Sequence, residues 1–200
     1  GEVTFDTTEH GDFVIARSLE DPLYHFAVVV DDGDAGVTHV LRGDDHISNT
    51  PRQILILEAL GFTRPVYAHF PMILAPDRSK LSKRKHGATL EKYREQGFLP
   101  EAIINYLALL GWNPGTPQEI FSFDELMKAF SIERMQKSGA VFDIQKMLWF
   151  NHEYLKQLSD EEFAVRLNAF AGTEIDMRLV PIVKERAQTL KEAQDILATE

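Results

Sequence analysis

Cysteine is absent from the 200-residue sequence. That absence excludes disulfides and thiolate metal sites, and it fits a reducing compartment. No run of apolar residues is long enough to cross a bilayer as a helix. The opening residues, GEVTFDTTEH, hold neither a basic start nor an apolar stretch, so they are not a signal peptide. They also lack an initiator Met and begin as if inside a strand, from which the expectation is a sequence cut from a longer protein. A surplus of positive charge is missing as well: 21 Lys and Arg against 31 Asp and Glu leave a net charge of -10. A generic nucleic-acid binder is more often basic, so any such contact must use a local patch. The seven histidines include no His-x-x-x-His pair and have no cysteine to join them, so no structural zinc is expected. Asp31-Asp32-Gly33-Asp34 fails the calcium-loop pattern, with Gly33 at its third position and Arg42 at its twelfth.

What is present suits a globular chain. The 44% of hydrophobic and 26% of charged residues can build a buried core and a solvated surface, in one domain or two small ones. Residues 3–18 read as short strands, VTF and DFVIARS, with a hairpin turn at His10-Gly11-Asp12. After Pro22, YHFAVVVDD is open between two readings: its three valines suit a strand, and its apolar residues on every side suit a buried helix. VTHVLRG reads as a strand. A helix follows, with Asn49 or Thr50 as N-cap, Pro51 in the first turn and Gly61 at the end. VYAHFPMIL is then another strand, ended by Pro76. Strand, helix and strand make one βαβ unit of a parallel sheet, too little for a complete doubly wound domain.

Beyond residue 88 the chain turns helical. TLEKYREQGF and PEAIINYLALLGW come first, and FSFDELMKAF carries Ser122 three residues before Glu125, a capping-box spacing. DIQKMLWFNHEYLKQL places Ile144, Met147, Leu148 and Leu155 near one face. SDEEFAVRLNAFAG and a segment from about Met177 to Glu200 complete the helical half. Trp112 and Trp149 read as core or packing residues.

The segment richest in chemistry is Pro76-Asp77-Arg78-Ser79-Lys80-Leu81-Ser82-Lys83-Arg84-Lys85-His86-Gly87, in which no acidic residue interrupts the basic run from Arg78 to Lys85. Loops at the carboxyl ends of parallel strands bind ligands in open α/β sheets, and ammonium groups there can neutralise charge developing on a triphosphate. On composition alone a solvated basic loop is the stronger reading.

The order of residues adds to this. Lys80-Leu81-Ser82-Lys83-Arg84 resembles the Lys-Met-Ser-Lys-Ser signature loop of class I aminoacyl-tRNA synthetases, in the form typical of the glutamyl and glutaminyl members. The resemblance extends over Tyr24-His25-Phe26-Ala27, over Gly36-Val37-Thr38-His39-Val40-Leu41-Arg42-Gly43-Asp44-Asp45-His46 and over Asn49-Thr50-Pro51-Arg52-Gln53. Gly97-Phe98-Leu99-Pro100-Glu101-Ala102 and Phe142-Asp143 with Lys146, Leu148, Trp149 and Asn151 extend it further, to roughly residues 10 to 155. Over this span the chain resembles the second half of a bacterial glutamyl-tRNA synthetase.

That resemblance implies an α/β part followed by an all-α part. The expected pieces are the end of an acceptor-binding insertion (1–18) and the second half of a Rossmann-like catalytic domain (19–77). The signature loop with a helical stem-contact region (78–155) and the start of a helical anticodon-binding domain (156–200) would follow. It implies ATP with Mg²⁺, L-glutamate and tRNA(Glu) as cofactor and partners, a cytoplasmic monomer and no membrane. Lys83 and Lys80 would be the catalytic cations, binding ATP together with Ser82, Arg84 and Asp45. Tyr24, Arg42 and His46 would bind glutamate, with Arg42 taking its γ-carboxylate, and Arg52 and Lys85 would meet tRNA. From the residues alone, Arg42 serves equally well as a carboxylate receptor or as the partner of Asp44 or Asp45, and Tyr24 is better read as a core aromatic.

The family's other signature, His-Ile-Gly-His, is absent, so these residues by themselves are expected not to activate glutamate. Three rival readings are a glutaminyl-type enzyme, a short paralogue that glutamylates a tRNA base, and a non-catalytic tRNA-binding module. The helical C-terminal residues weigh against the first, and residues 160–200 against the second.

Overall fold

The computed structural model describes residues 3–82 and 89–199. The chain divides into two compact units, Gly1–Met72 and Ile73–Glu200.

In the first unit, residues 3–15 are not strands. A 3-10 turn at Thr7–His10 is capped by Asp6, whose carboxylate accepts the Thr8 N–H at 2.9 Å. A short side chain bonding its own backbone in this way competes with strand pairing. Only β1 (Ala16–Ser18) and β2 (Asp21–Pro22) pair, antiparallel, so the hairpin closes at Leu19-Glu20 rather than at His10-Gly11-Asp12.

The ambiguous segment is helix α1 (Tyr24–Asp34). Three consecutive valines are poor helix formers, and tertiary packing overrides them: Val29 is buried against Ile56 and Leu57, with Phe13, Phe26 and Phe62 closing the cluster. Strand β3 (His39–Gly43) leads through a 3-10 turn at Asp44–Asn49 into α2 (Thr50–Leu60), which has Pro51 in its first turn and a left-handed Gly61 as C-cap. Strand β4 (Val66–Phe70) then pairs parallel with β3, from His39 against Val66 to Arg42 against His69 and Gly43 against Phe70. The expected βαβ unit is therefore present.

The run VYAHFPMIL is not one strand. It breaks at Pro71, which has no N–H for a ladder. Beyond it β5 (Ile73–Leu74) belongs to the second unit, pairing parallel with β6 (Ala140–Val141). Helices α3 (Leu90–Glu95), α4 (Pro100–Gly111), α5 (Phe123–Ala129), α6 (Ile144–Gln157) and α7 (Asp160–Ala171) follow. The last segment is two helices, α8 (Val180–Arg186) and α9 (Leu190–Leu197), because Thr189 caps a fresh helix start. Ser122 with Glu125 and Ser159 with Glu162 form complete capping boxes.

The core of this unit gathers Phe98, Tyr106, Met147, Phe150, Leu155 and Phe163. The buried face of α6 runs through Met147, Phe150, Asn151, Tyr154 and Leu155, whereas Ile144 is exposed in its first turn. Trp112 is buried in a smaller cluster with Phe121 and Leu126. Trp149 remains 39% exposed and sets its ring edge-on to Phe150 at 5.0 Å.

Polar side chains lock the helices where apolar packing alone would not set their register. Asn151, fully buried, accepts from the Leu99 N–H at 2.7 Å and donates to the Gln188 carbonyl. The Tyr154 hydroxyl lies 2.8 Å from Asn105 Oδ1 and also meets the Phe121 carbonyl. Burial pushes the Tyr106 and Tyr154 hydroxyls up to about 12.

Gly97 sits at φ +75, and a Cβ there would stand 2.7 Å from both Leu190 Cβ and the Lys191 amide nitrogen. Gly97→Ala is expected to cost about 2–4 kcal/mol, from the left-handed conformation together with the overlap. Urea unfolding of the chain measures this, and a loss below about 1 kcal/mol would show that the α9 N-terminus moves away freely. Among the described residues no helix is long and apolar enough to cross a membrane.

Candidate functional site

In the first unit the carboxyl end of β3 presents Arg42, and the register with β4 sets His69 directly beside it. Arg42 Nε donates to His69 Nε2 at 3.2 Å, and Nη2 donates to the Thr50 hydroxyl at 2.9 Å. The Thr50 hydroxyl, buried at the start of α2, donates to the His46 carbonyl at 3.0 Å and lies 3.1 Å from His69 Nε2. The Tyr67 ring lies under the guanidinium, 5.3 Å from ring centre to Cζ. Among the described residues three of the five guanidinium N–H groups are left over, two on Nη1 and one on Nη2, and one from each nitrogen makes the pair of parallel donors that a carboxylate accepts. Among the described residues Arg42 forms no ion pair.

His46 in the 3-10 turn, whose carbonyl takes the Thr50 hydroxyl, stands next to this arginine's partner, and Tyr24 of α1 stands next to His46. Tyr24 is 53% exposed, which corrects its reading as a core aromatic, and its ring lies 6.0 Å from that of His46. The His46 imidazole is oriented by Asn49 at 3.1 Å. His25 has a buried Nδ1 with no hydrogen-bond partner among the described residues. Burial, and then the charges of Arg52, Arg42 and His46, hold its pKa below the ordinary histidine value. Asp45 is exposed in the same 3-10 turn, and its Oδ1 lies 2.5 Å from where a Cβ on Gly43 would stand, so position 43 admits no side chain without displacing it. Arg52, exposed on α2, lies over the Phe13 ring at 5.8 Å.

The second unit holds the start of the basic segment, folded as a tight hairpin. Ala75 N–H donates to the Ser79 carbonyl at 2.8 Å and Leu81 N–H to the Ile73 carbonyl at 3.0 Å, with Leu74 bridged to Lys80. Arg78 takes a left-handed φ of 61 at the tip. Asp77 stabilises that turn by accepting from both the amide and the hydroxyl of Ser79, at 2.9 and 2.6 Å. Lys80 thus sits on the returning arm of this hairpin with Ser82 just beyond it, while Lys83, Arg84 and Lys85 lie outside the described residues.

Tyr24, Arg42 and His46 are therefore gathered at one place, with Asp45 beside them. Sequence reasoning missed His69 and Tyr67, and it gave Thr50 only a helix-positioning role. The signal that could have found His69 is the parallel register of the βαβ unit, since in-register neighbours share a face of the sheet.

The model of the catalytic domain of the class I tRNA synthetases for E and Q matches residues 1–149. A glutamate–tRNA ligase 2 of Thermoanaerobacter pseudethanolicus is 44% identical, over 99% of this chain and 43% of its own length. The glutamate–tRNA ligase of Carboxydothermus hydrogenoformans is 56% identical over 78% of this chain and 32% of its own. The crystal structure of a glutamate tRNA ligase from Elizabethkingia meningosepticum, in complex with its amino acid, superposes with a TM-score of 0.79 at 33% identity. That match covers 94% of this chain and 42% of the other. The chain thus spans less than half the length of the relatives it matches. Its first 149 residues match the family model and its fold follows that of a solved member, so the chain belongs to the class I tRNA synthetases of the glutamyl and glutaminyl type.

Proposed function

We propose that this chain is part of a glutamate–tRNA ligase, which joins glutamate to ATP as an adenylate, releasing pyrophosphate, and then passes the glutamyl group to a terminal hydroxyl of tRNA(Glu). The observation that carries this reading is Arg42, held on one edge by His69 and Thr50 and open on the other, where a side-chain carboxylate can take two parallel hydrogen bonds. Tyr24 and His46 border the same place and bind the rest of the amino acid. Asp45 joins in binding ATP.

Lys80, Ser82, Lys83 and Arg84 bind ATP, and Lys83 with Lys80 offsets charge on its phosphates during the attack. No side chain acts as a covalent nucleophile; positioning and electrostatics carry the step. Mg²⁺ comes with ATP. Arg52 and Lys85 meet tRNA. In this reading residues 1–18 end an acceptor-binding insertion, 19–77 form the second catalytic half, 78–155 the signature loop and stem-contact region, and 156–200 open an anticodon-binding domain. The enzyme works as a cytoplasmic monomer.

The test is ATP–pyrophosphate exchange by the whole enzyme with tRNA present. Exchange is expected with glutamate and not glutamine, and it should fall sharply in Lys83→Ala. Exchange with glutamine instead would move the assignment to the glutaminyl type, and none with either would end the enzymatic reading. The 200 residues alone, without a His-Ile-Gly-His motif, are expected to give no glutamate-dependent exchange.

A further inference from the structure

We infer that His69 is a positioning residue for Arg42: its neutral imidazole, through Nε2, holds the guanidinium so that the open donor pair faces a substrate carboxylate. This rests on the reading of Arg42 as the carboxylate receptor. A free arginine side chain has several rotatable bonds, and binding through it loses that freedom. Here three contacts remove the freedom in advance. Arg42 Nε bonds His69 Nε2 at 3.2 Å, Nη2 bonds Thr50 at 2.9 Å, and the Tyr67 ring supports the plane at 5.3 Å. The His69 ring is itself stacked on Tyr67, with the two planes 6° apart.

The chemistry at position 69 is specific. An N–H on Nε can only donate, so in this bond His69 Nε2 accepts, which needs the imidazole proton on Nδ1; the Thr50 hydroxyl, 3.1 Å from the same nitrogen, is a second group it meets. A carboxylate at this position would also accept, but its charge would neutralise Arg42 and compete with the substrate. A neutral imidazole supplies the acceptor without the competing charge. Protonation removes the acceptor and sets one cation against another.

The groups facing His69 are Arg42 from β3, Asp44 and His46 from the 3-10 turn, and Tyr67 on its own strand. Burial, then Arg42 and His46, lower its pKa, and Asp44 opposes them. The imidazole is therefore neutral at neutral pH. The positioning is lost as pH falls through a value below the ordinary histidine value.

The experiment is the pH dependence of the glutamate KM in whole-enzyme exchange, for wild type, His69→Leu and His69→Gln, from about pH 7.5 to about pH 5.5. His69→Leu, with no acceptor, should raise the glutamate KM roughly tenfold at neutral pH with little change in kcat or in the KM for ATP. His69→Gln, whose carbonyl accepts from Nε but does not titrate, should restore most of the affinity and flatten the acid-side rise in KM. An unchanged KM in His69→Leu overturns the inference, as does an acid-side rise that persists in His69→Gln. If His69→Leu does not fold, the profile of His69→Gln decides alone. An Arg42→Ala enzyme with unchanged glutamate KM would instead overturn the reading of Arg42 beneath it.

Discussion

Replacing Arg42 by alanine is expected to lower kcat/KM for glutamate roughly a hundred- to a thousandfold, equivalent to about 3–4 kcal/mol. The loss should fall mainly on KM, because the γ-carboxylate carries the same charge before and during the reaction and is bound uniformly. Three guanidinium N–H groups are uncommitted among the described residues and three contacts hold the plane, so little of the interaction is spent on ordering the side chain. The KM for ATP should stay within about twofold, since the phosphates are assigned to the lysines of the other unit. Arg42→Lys keeps the charge but loses the planar pair of donors, and should recover only part of the affinity. A glutamate KM within about threefold of wild type in Arg42→Ala would sink the assignment. Arg42 is only partly buried, so the fold should survive the substitution and circular dichroism can confirm that it has.

The largest stability effect is expected at Asn151. Asn151→Leu nearly conserves volume but leaves the Leu99 N–H and the Gln188 carbonyl without the side chain that satisfies both. Each orphaned group costs about 1–3 kcal/mol, and the Leu99 side is deeply buried. The total should be roughly 3–5 kcal/mol, a large share of the about 5–15 kcal/mol by which a domain is usually stable. Denaturant unfolding followed by far-UV circular dichroism reads this as a lower midpoint at an unchanged slope. A shift worth less than about 1 kcal/mol would mean that water or a backbone adjustment replaces both bonds. His152 bonds the Ala187 carbonyl at 2.8 Å, so His152→Ala in the same background separates the contribution of this second tie.

Much of the helical architecture was legible because its signals are local. Ser122 and Glu125, Pro51 and Gly61, and Thr89 before Leu90 each mark a boundary with chemistry contained in one or two turns. The βαβ unit was legible for the same reason. The errors came where partners are distant or missing. Val3 and Phe5 have strand-forming character but no strand to pair with among the described residues, and Asp6 turns the chain instead. Pro71 divides one apolar run between two sheets, and nothing near it announces Ala140 and Val141 as the partner.

At the candidate site, Tyr24, Arg42 and His46 stood out through the family resemblance, and the structure shows them gathered. That Arg42 bonds Thr50 and His69 could not be read from neighbouring letters, because both partners lie on other elements. His69 itself is one uncharged residue in an apolar strand, and it becomes visible only when β3 and β4 are set in register.

The β5–β6 pairing has a consequence for the order in which the protein is made. Among the described residues the strands of the first unit pair within residues 1–72, so the β3–β4 pairing does not wait for anything translated after β4. Ile73 and Leu74 cannot: their parallel neighbour is Ala140-Val141, which is synthesised much later and only after α3, α4 and α5. Until then the hairpin that carries Lys80 has no strand to rest on, and closing so long a loop adds an entropic cost. The hairpin that carries Lys80 therefore waits for its strand partner until more than half of the second unit has been translated.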